Sequence, residues 1–416
     1  PAMPRSNRLN ILHVCHIPAG PPRFGAQARI HGLLSEISKR HTVTAVSLID
    51  EEFDAAESLR HMQAYCDHVT LIPNPHGKEG LSKRILQVQS LVSTRSFERL
   101  RATASALQSV LNQVMSRNRF DIVNLEFPYL GHLNFRIAPS GEKPPSLIIN
   151  SHEIAYDLAR QFAETAPTLF RRVYAGANWR KLRREELAAY HKADGVYLCS
   201  VADEQRLLAE QPDARTAVIP NAADVTFYRP DISHPKADGR TVVYFGLLST
   251  APNIDGVLYF VEKIWPKIAE AHPDARFKII GGKPPAVLQA LAGPRIELTG
   301  FVPDLRPHLA EAAAIVVPLR LGGGTRLKIV EAMSMGKAIV STALGAEGIE
   351  ATPGREIFIE DTPSGFSDAT SRLLAHPHLA DSIGASARML AEQRYSWAGA
   401  ASALEDFYYR VLGDKH

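Results

Sequence analysis

The chain has 416 residues, a formal net charge of +3, and 45% hydrophobic against 22% charged residues. That length exceeds one ordinary core and implies two soluble, globular domains, while the small charge gives no argument for nucleic acid as a partner. Cys15, Cys66 and Cys199 lie far apart without C-x-x-C spacing, which argues against a disulfide framework or a zinc site and suits a reducing cytoplasm.

Cys15 and Cys199 sit in apolar runs and read as core thiols rather than nucleophiles. No apolar run reaches the roughly 20 residues of a spanning helix. Residues 1–10 are polar and lack the apolar centre of a signal peptide, so a cytoplasmic location is expected.

In chain order, residues 9–15 read as a strand and Pro18 to Gly25 as a Pro/Gly loop. Residues 26–38 read as an amphipathic helix with Ile30, Leu33, Leu34 and Ile37 at helical spacing. Strands are expected at 42–49, 69–72, 122–125, 147–150 and 196–199, with helical segments between most of them. Residues 211–239 hold Pro212, Pro220, Pro230, Pro235 and Gly239 and read as a break. The alternation then restarts with strands at 241–245, 277–280, 296–298, 314–317, 338–341 and 357–359. Alternating strands and helices imply parallel sheets covered on both faces, with ligands bound outside the carboxyl ends of the strands.

The densest chemistry follows residues 314–317. Gly322, Gly323 and Gly324 form a loop, and a helix leaves near Thr325, expected as its cap. Glycines allow close backbone approach, and free amides at a helix start favour an anion. Arg326 and Lys328 add cations there, which suits a nucleoside diphosphate as a leaving group. Glu331, two turns on, can accept hydrogen bonds from ribose hydroxyls. A solvated surface turn is the bland alternative. The segment fits neither G-x-G-x-x-G nor G-x-x-x-x-G-K-[ST], which argues against a simple dinucleotide enzyme or a P-loop ATPase.

On these residues the chain resembles the retaining glycosyltransferases of the GT-B fold, family four. Ile219-Pro220-Asn221-Ala222-Ala223-Asp224 resembles the family's P-N-G-V-D loop, and Gly300-Phe301-Val302 its G-x-V turn beside the base. Glu331-Ala332-Met333-Ser334-Met335-Gly336-Lys337 resembles its E-A-M-A-x-G-K-P helix end, Gly345-Ala346-Glu347-Gly348 the loop after it, and Tyr395-Ser396-Trp397 its F-S-W segment. The resemblance implies an α/β, GT-B fold: two Rossmann-like domains with parallel sheets facing a central cleft. Residues 1–195 would bind the acceptor, with a C-terminal helix 397–416 packing back on them, and 196–396 would bind the donor. It implies a retaining hexosyltransferase using a UDP- or GDP-sugar on a glycan or lipid-linked acceptor, in surface polysaccharide or glycoconjugate biosynthesis. No separate cofactor and no metal are expected. The donor residues implied are Gly25, Asn221, Val302, Gly322, Gly323, Gly324, Thr325 and Glu331, and the catalytic ones His152, Arg326 and Lys328.

The chain departs from the pattern in three places. Gly323 stands where the family has the first of two glutamates, Leu247 and Pro252 stand where it has Arg and Lys, and Ala26 replaces one of a glycine pair. Arg326 and Lys328 are expected to replace the missing cations. His152, just past the strand 147–150, is where the resemblance puts a histidine that touches the donor sugar; Glu126 and His16 are weaker candidates. Two basic segments, 78–119 and the stretch holding Arg171, Arg172, Arg180, Lys181, Arg183 and Arg184, read as solvated faces or as peripheral contacts for an anionic membrane at its inner face. A nucleotide-sugar epimerase, a non-catalytic nucleotide-sugar-binding protein and a periplasmic-type sugar-binding protein are the competing readings.

Overall fold

The computed structural model describes residues 8–77, 80–165, 168–231, 233, 237–322 and 324–413. The chain divides into two compact units, Pro1–Ile219 with Ala401–His416, and Pro220–Ala400.

The first unit is built on seven parallel strands: β1 (Asn10–Cys15), β2 (Thr42–Ile49), β3 (His68–Pro73), β4 (Ile122–Glu126), β5 (Ser146–Ser151), β6 (Gly195–Leu198) and β7 (Thr216–Val218). Their order is β3-β2-β1-β4-β5-β6-β7. The helices are α1 (Gly25–Ile37), α2 (Ala55–Gln63), α3 (Leu81–Val92), α4 (Phe97–Ala102), α5 (Ser105–Arg117), α6 (Ala155–Thr165), α7 (Leu169–Lys192) and α8 (Val201–Glu210). β1, β4 and β5 are buried almost throughout because both sheet faces are covered. Leu12 and Val14 of β1, Val123 and Leu125 of β4 and Ile149 of β5 pack with Leu107, Leu111 and Met115 of α5. Each such side chain contributes about 1.5–3 kcal/mol on burial.

The second unit has six parallel strands: β8 (Thr241–Phe245), β9 (Arg276–Ile280), β10 (Ile296–Gly300), β11 (Ala314–Val317), β12 (Ile339–Ser341) and β13 (Phe358–Ile359), in the order β10-β9-β8-β11-β12-β13. Its helices are α9 (Ala251–Tyr259), α10 (Trp265–Ala271), α11 (Ala286–Gln289), α12 (Arg306–Glu311), α13 (Leu327–Ser334), α14 (Pro363–Ala375) and α15 (Pro377–Arg394), followed by α16 (Trp397–Gly413). A π-turn, Phe260–Ile264, joins α9 to α10 and turns Phe260 into the core, 4.5 Å from the Phe277 ring centroid.

From Ala401 on, α16 belongs to the first unit. There Phe407 packs so closely on Gly195 that a Cβ at that position would lie 2.7 Å from its ring. Glu405 reaches His41 at 2.9 Å and Arg40 at 3.1 Å. No helix among the described residues is long and apolar enough to cross a membrane.

Two local expectations shift. β7 lies inside the proline-rich stretch 211–239 and pairs in parallel with β6. β6 in turn pairs with β5, so both strands belong to the first sheet, and the units divide after Ile219 rather than at 195/196. In each sheet the winding reverses beside the first strand, between β1 and β4 and between β8 and β11. Ligands of open parallel sheets bind at such points, outside the carboxyl ends.

Candidate active site

In the second unit the reversal is flanked by the ends of β8 and β11. After β11 the chain passes through Gly322 (φ 128) and Gly324 (φ 68), a backbone that favours glycine, and enters α13. Gly323 lies outside the described residues. Arg326, not Thr325, is the N-cap residue of α13, and no side chain caps this helix. Thr325 stands one residue too early for that role. It is buried instead, and its carbonyl accepts a hydrogen bond from Asn221 Nδ2 at 2.7 Å, which ties the 219–224 loop to the glycine loop. The Arg326 guanidinium lies against Gly322, where a Cβ would come within 2.7 Å of it.

Lys328 reaches back from the first turn of α13 to the end of β8. Its Nζ donates to Tyr244 Oη and Asn253 Oδ1, each at 3.0 Å, and sits 4.2 Å from the Tyr244 ring centroid. Tyr244 Oη donates to Asn253 Oδ1 at 2.6 Å, and Asn253 Nδ2 donates to the Leu247 carbonyl at 2.8 Å. Gly246 makes room for the ammonium: a Cβ there would lie 2.8 Å from Nζ. The ammonium therefore sits between the end of β8 and the first turn of α9, against Tyr244, Gly246 and Asn253. Burial, reinforced by the Arg326 charge and opposed by Glu331, pulls the Lys328 pKa down to about 7.

Burial also pushes the Glu331 carboxyl up to about 7, against the hydrogen bond from Tyr228 and the nearby Lys328. Glu331 thus already has a donor, Tyr228, in addition to any ribose hydroxyl it would meet. Val302 follows Gly300 (φ 75) and the 69%-exposed Phe301 at the end of β10, and packs half-buried on the core beneath.

In the first unit, Glu126 ends β4 at the reversal beside β1. His152, one residue past β5, brings its Nε2 to 2.8 Å from Glu126 Oε2. Asn150 Nδ2 donates to the same oxygen at 2.8 Å, and Asn124 Nδ2 donates to Oε1 at 2.9 Å. Burial opposes ionisation of Glu126, but the His152 hydrogen bond, the neighbouring His13 and His152 rings and the Arg29 charge hold its pKa below the ordinary value. Burial lowers the His152 pKa, with Glu126 opposing. The pair is then a carboxylate and a neutral imidazole whose Nε2–H faces Glu126, leaving Nδ1 as the acceptor.

The network is anchored from three sides. Arg29 of α1, the helix that Gly25 begins, donates to Asn150 Oδ1 from Nε at 3.3 Å and from a terminal nitrogen at 3.2 Å. Tyr197 of β6 and Tyr408 of α16 each donate to Asn124 Oδ1 at 3.0 Å. Phe127, at φ 67 despite its bulk, stacks on His152 with ring centroids 4.1 Å apart. A positive φ on an aromatic residue costs about 1–3 kcal/mol and persists where the surroundings impose it. His16 meets the Phe127 ring edge-on at 4.8 Å, and burial pulls its pKa down to about 3.

Asn221, Gly322, Gly324, Thr325, Arg326, Lys328 and Glu331 are thus gathered in one unit around the start of α13, and His152 pairs with Glu126 in the other. Tyr244, Asn253, Gly246 and Tyr228 escape a reading of the sequence. Tyr244 reads as an ordinary strand residue, and only the fold turns its hydroxyl toward a lysine 84 positions away.

Residues 239–376 match the family model of glycosyl transferases group 1. An uncharacterized 44.6 kDa protein in the cps region of Klebsiella pneumoniae is 26% identical over 127 residues, which are 28% of this chain and 33% of that protein, so the match spans about a third of the relative. The fold is similar to that of sucrose-phosphate synthase from Thermosynechococcus elongatus, with TM-score 0.70 and 14% identity over 98% of this chain and 100% of that one. It is also similar to Anabaena HepE in complex with UDP and glucose, with TM-score 0.65 and 16% identity over 96% and 99% of the two chains. The second unit therefore carries the sequence pattern of glycosyl transferases group 1, and the whole chain has the GT-B fold of two Rossmann-like units.

Proposed function

We propose that the protein is a glycosyltransferase that moves a hexose from a nucleotide-sugar to a glycan or lipid-linked acceptor, with retention at the anomeric carbon, in surface polysaccharide assembly in the cytoplasm. The observation that carries the donor side is the placement of Lys328 and Arg326. Two cations stand together in a desolvated site at the reversal point of a parallel sheet, beside a glycine loop and an uncapped helix start. Such a site is complementary to a diphosphate, and most so when glycosyl departure leaves full charge on it. Crystallisation of HepE with UDP and with UDP-glucose supports a uridine donor, and the cps-region relative supports the polysaccharide setting.

In this reading the glycine-loop amides and Arg326 hold the diphosphate, and Lys328 neutralises the oxygen that leaves. Glu331 and Asn221 position the nucleoside side of the site. His152, held neutral by burial and oriented by Glu126, offers Nδ1 as a hydrogen-bond acceptor to a sugar hydroxyl. The diphosphate oxygen itself takes the proton of the attacking hydroxyl. That step breaks the anomeric C–O bond to phosphate as the new C–O bond forms on the same face.

The test is calorimetric titration with UDP, GDP and ADP, followed by assay of nucleoside diphosphate release from the matching sugar donor. Binding of one of them, lost in Lys328→Ala, supports the reading. Binding by none of them, or undiminished binding in Lys328→Ala and Arg326→Ala alike, removes it. A donor-only incubation that yields an epimer would replace transfer by epimerisation.

A further inference from the structure

We propose that the outward face of α3, with the first turns of α7, docks on an anionic lipid bilayer. α3 is amphipathic in the wrong sense for a helix that faces water. Its inward face buries Leu86 and Ser90, while Leu81, Ile85, Val88 and Val92 are 73%, 50%, 63% and 88% exposed. At about 100° per residue these four fall within about 60° of arc, opposite the buried pair. A single exposed leucine needs no explanation, but four in one stripe mark an interaction surface.

α7 packs against α3, with Ser90 Oγ 3.3 Å from Tyr174 Oη and Lys181 Nζ donating to the Ser90 carbonyl. The start of α7 adds Leu169 and Val173, 77% and 62% exposed.

Charge selects the occupant. Between Gly80 and Phe97 the chain holds Lys83, Arg84 and Arg95 and no carboxylate. Between Thr165 and Arg184 it holds six cations and again no carboxylate. Arg84, Arg95, Arg171 and Arg172 are exposed. An apolar stripe rimmed by cations of one sign suits a surface that is apolar just below a negatively charged layer. That is the interface of an anionic bilayer, where an amphipathic helix sits about 5–10 Å deep. A protein partner would have to supply both an apolar groove and an acidic rim. Lys78 and Glu79 lie outside the described residues.

The experiment is flotation of the full chain with vesicles of phosphatidylglycerol and phosphatidylcholine in equal parts, against phosphatidylcholine alone. The wild type should float with the anionic vesicles and be released by salt. The double variant Ile85→Ser/Val88→Ser should lose partitioning by about tenfold or more, since two exposed apolar side chains no longer enter the interface. Arg84→Gln/Arg95→Gln should lose about fivefold for each cation removed. All four positions are at the surface, so circular dichroism and the melting temperature should match the wild type and separate loss of docking from loss of fold. Wild-type protein that stays out of the anionic fraction at low salt overturns the proposal. So does an Ile85→Ser/Val88→Ser variant that floats normally, or a wild-type dimer in solution that these substitutions dissociate.

Discussion

Lys328 gives the sharpest prediction. In the unliganded protein its pKa is drawn down to about 7 because the ammonium is buried and faces Arg326. A diphosphate placed against it reverses the balance and raises that pKa, so binding takes up a proton. Affinity should therefore fall as pH rises above about 7. About half of the free protein carries the proton at about pH 7 and about one in a hundred at about pH 9, so the affinity for UDP should drop about fiftyfold, or about 2.3 kcal/mol, across that range. The second ionisation of the terminal phosphate, near 6, lies below the window. Glu331, pushed up to about 7, also titrates near its start and faces Lys328, while Tyr244 is driven further up by burial and stays protonated. Lys328→Met separates these contributions: it should bind UDP weakly and without the fall. Calorimetry in buffers of different ionisation enthalpy reads the proton uptake directly. UDP binding that is constant from about pH 7 to about pH 9, or a fall that survives in Lys328→Met, would refute the reasoning.

Gly246→Ala should weaken nucleotide binding and destabilise the second unit by about 1–3 kcal/mol, because its Cβ would press on the Lys328 ammonium; thermal melts with and without UDP check both. Asn221→Ala should cost about 1–3 kcal/mol by leaving the buried Thr325 carbonyl without this donor, and it should loosen the glycine loop, seen as lower UDP affinity. Glu126→Gln should leave UDP binding intact but lower the transfer rate by about tenfold or more, since the imidazole loses the carboxylate that fixes its tautomer; unchanged kcat would show that this pair has no part in transfer. Asn124→Ala should lower the melting temperature, as Tyr197, Tyr408 and Glu126 each lose a buried partner, with about 1–3 kcal/mol at stake.

The alternation of β-branched runs with helical periods determined the class of this fold by itself. Thr42–Ile49, Thr241–Phe245 and Ala314–Val317 are strands at the residues expected, because period-two and period-3.6 patterns are local properties of the chain. The glycine loop and its cations were equally legible, since glycine tolerance of positive φ and fixed charge belong to the residues themselves. β7 was not legible, because three residues among prolines carry no periodic signal and are held as a strand only by pairing with β6. The N-cap of α13 also moved, from Thr325 to Arg326, since a cap depends on where the backbone enters the helical region. What only the tertiary structure decided is which distant groups meet. Lys328 finds Tyr244 and Asn253 because parallel pairing sets β8 beside β11, and His152 finds Glu126 because β4 and β5 end side by side. The depressed pKa of Lys328 and the neutral state of His152 follow from burial among those partners, and burial is a property of the packed chain, not of any segment within it.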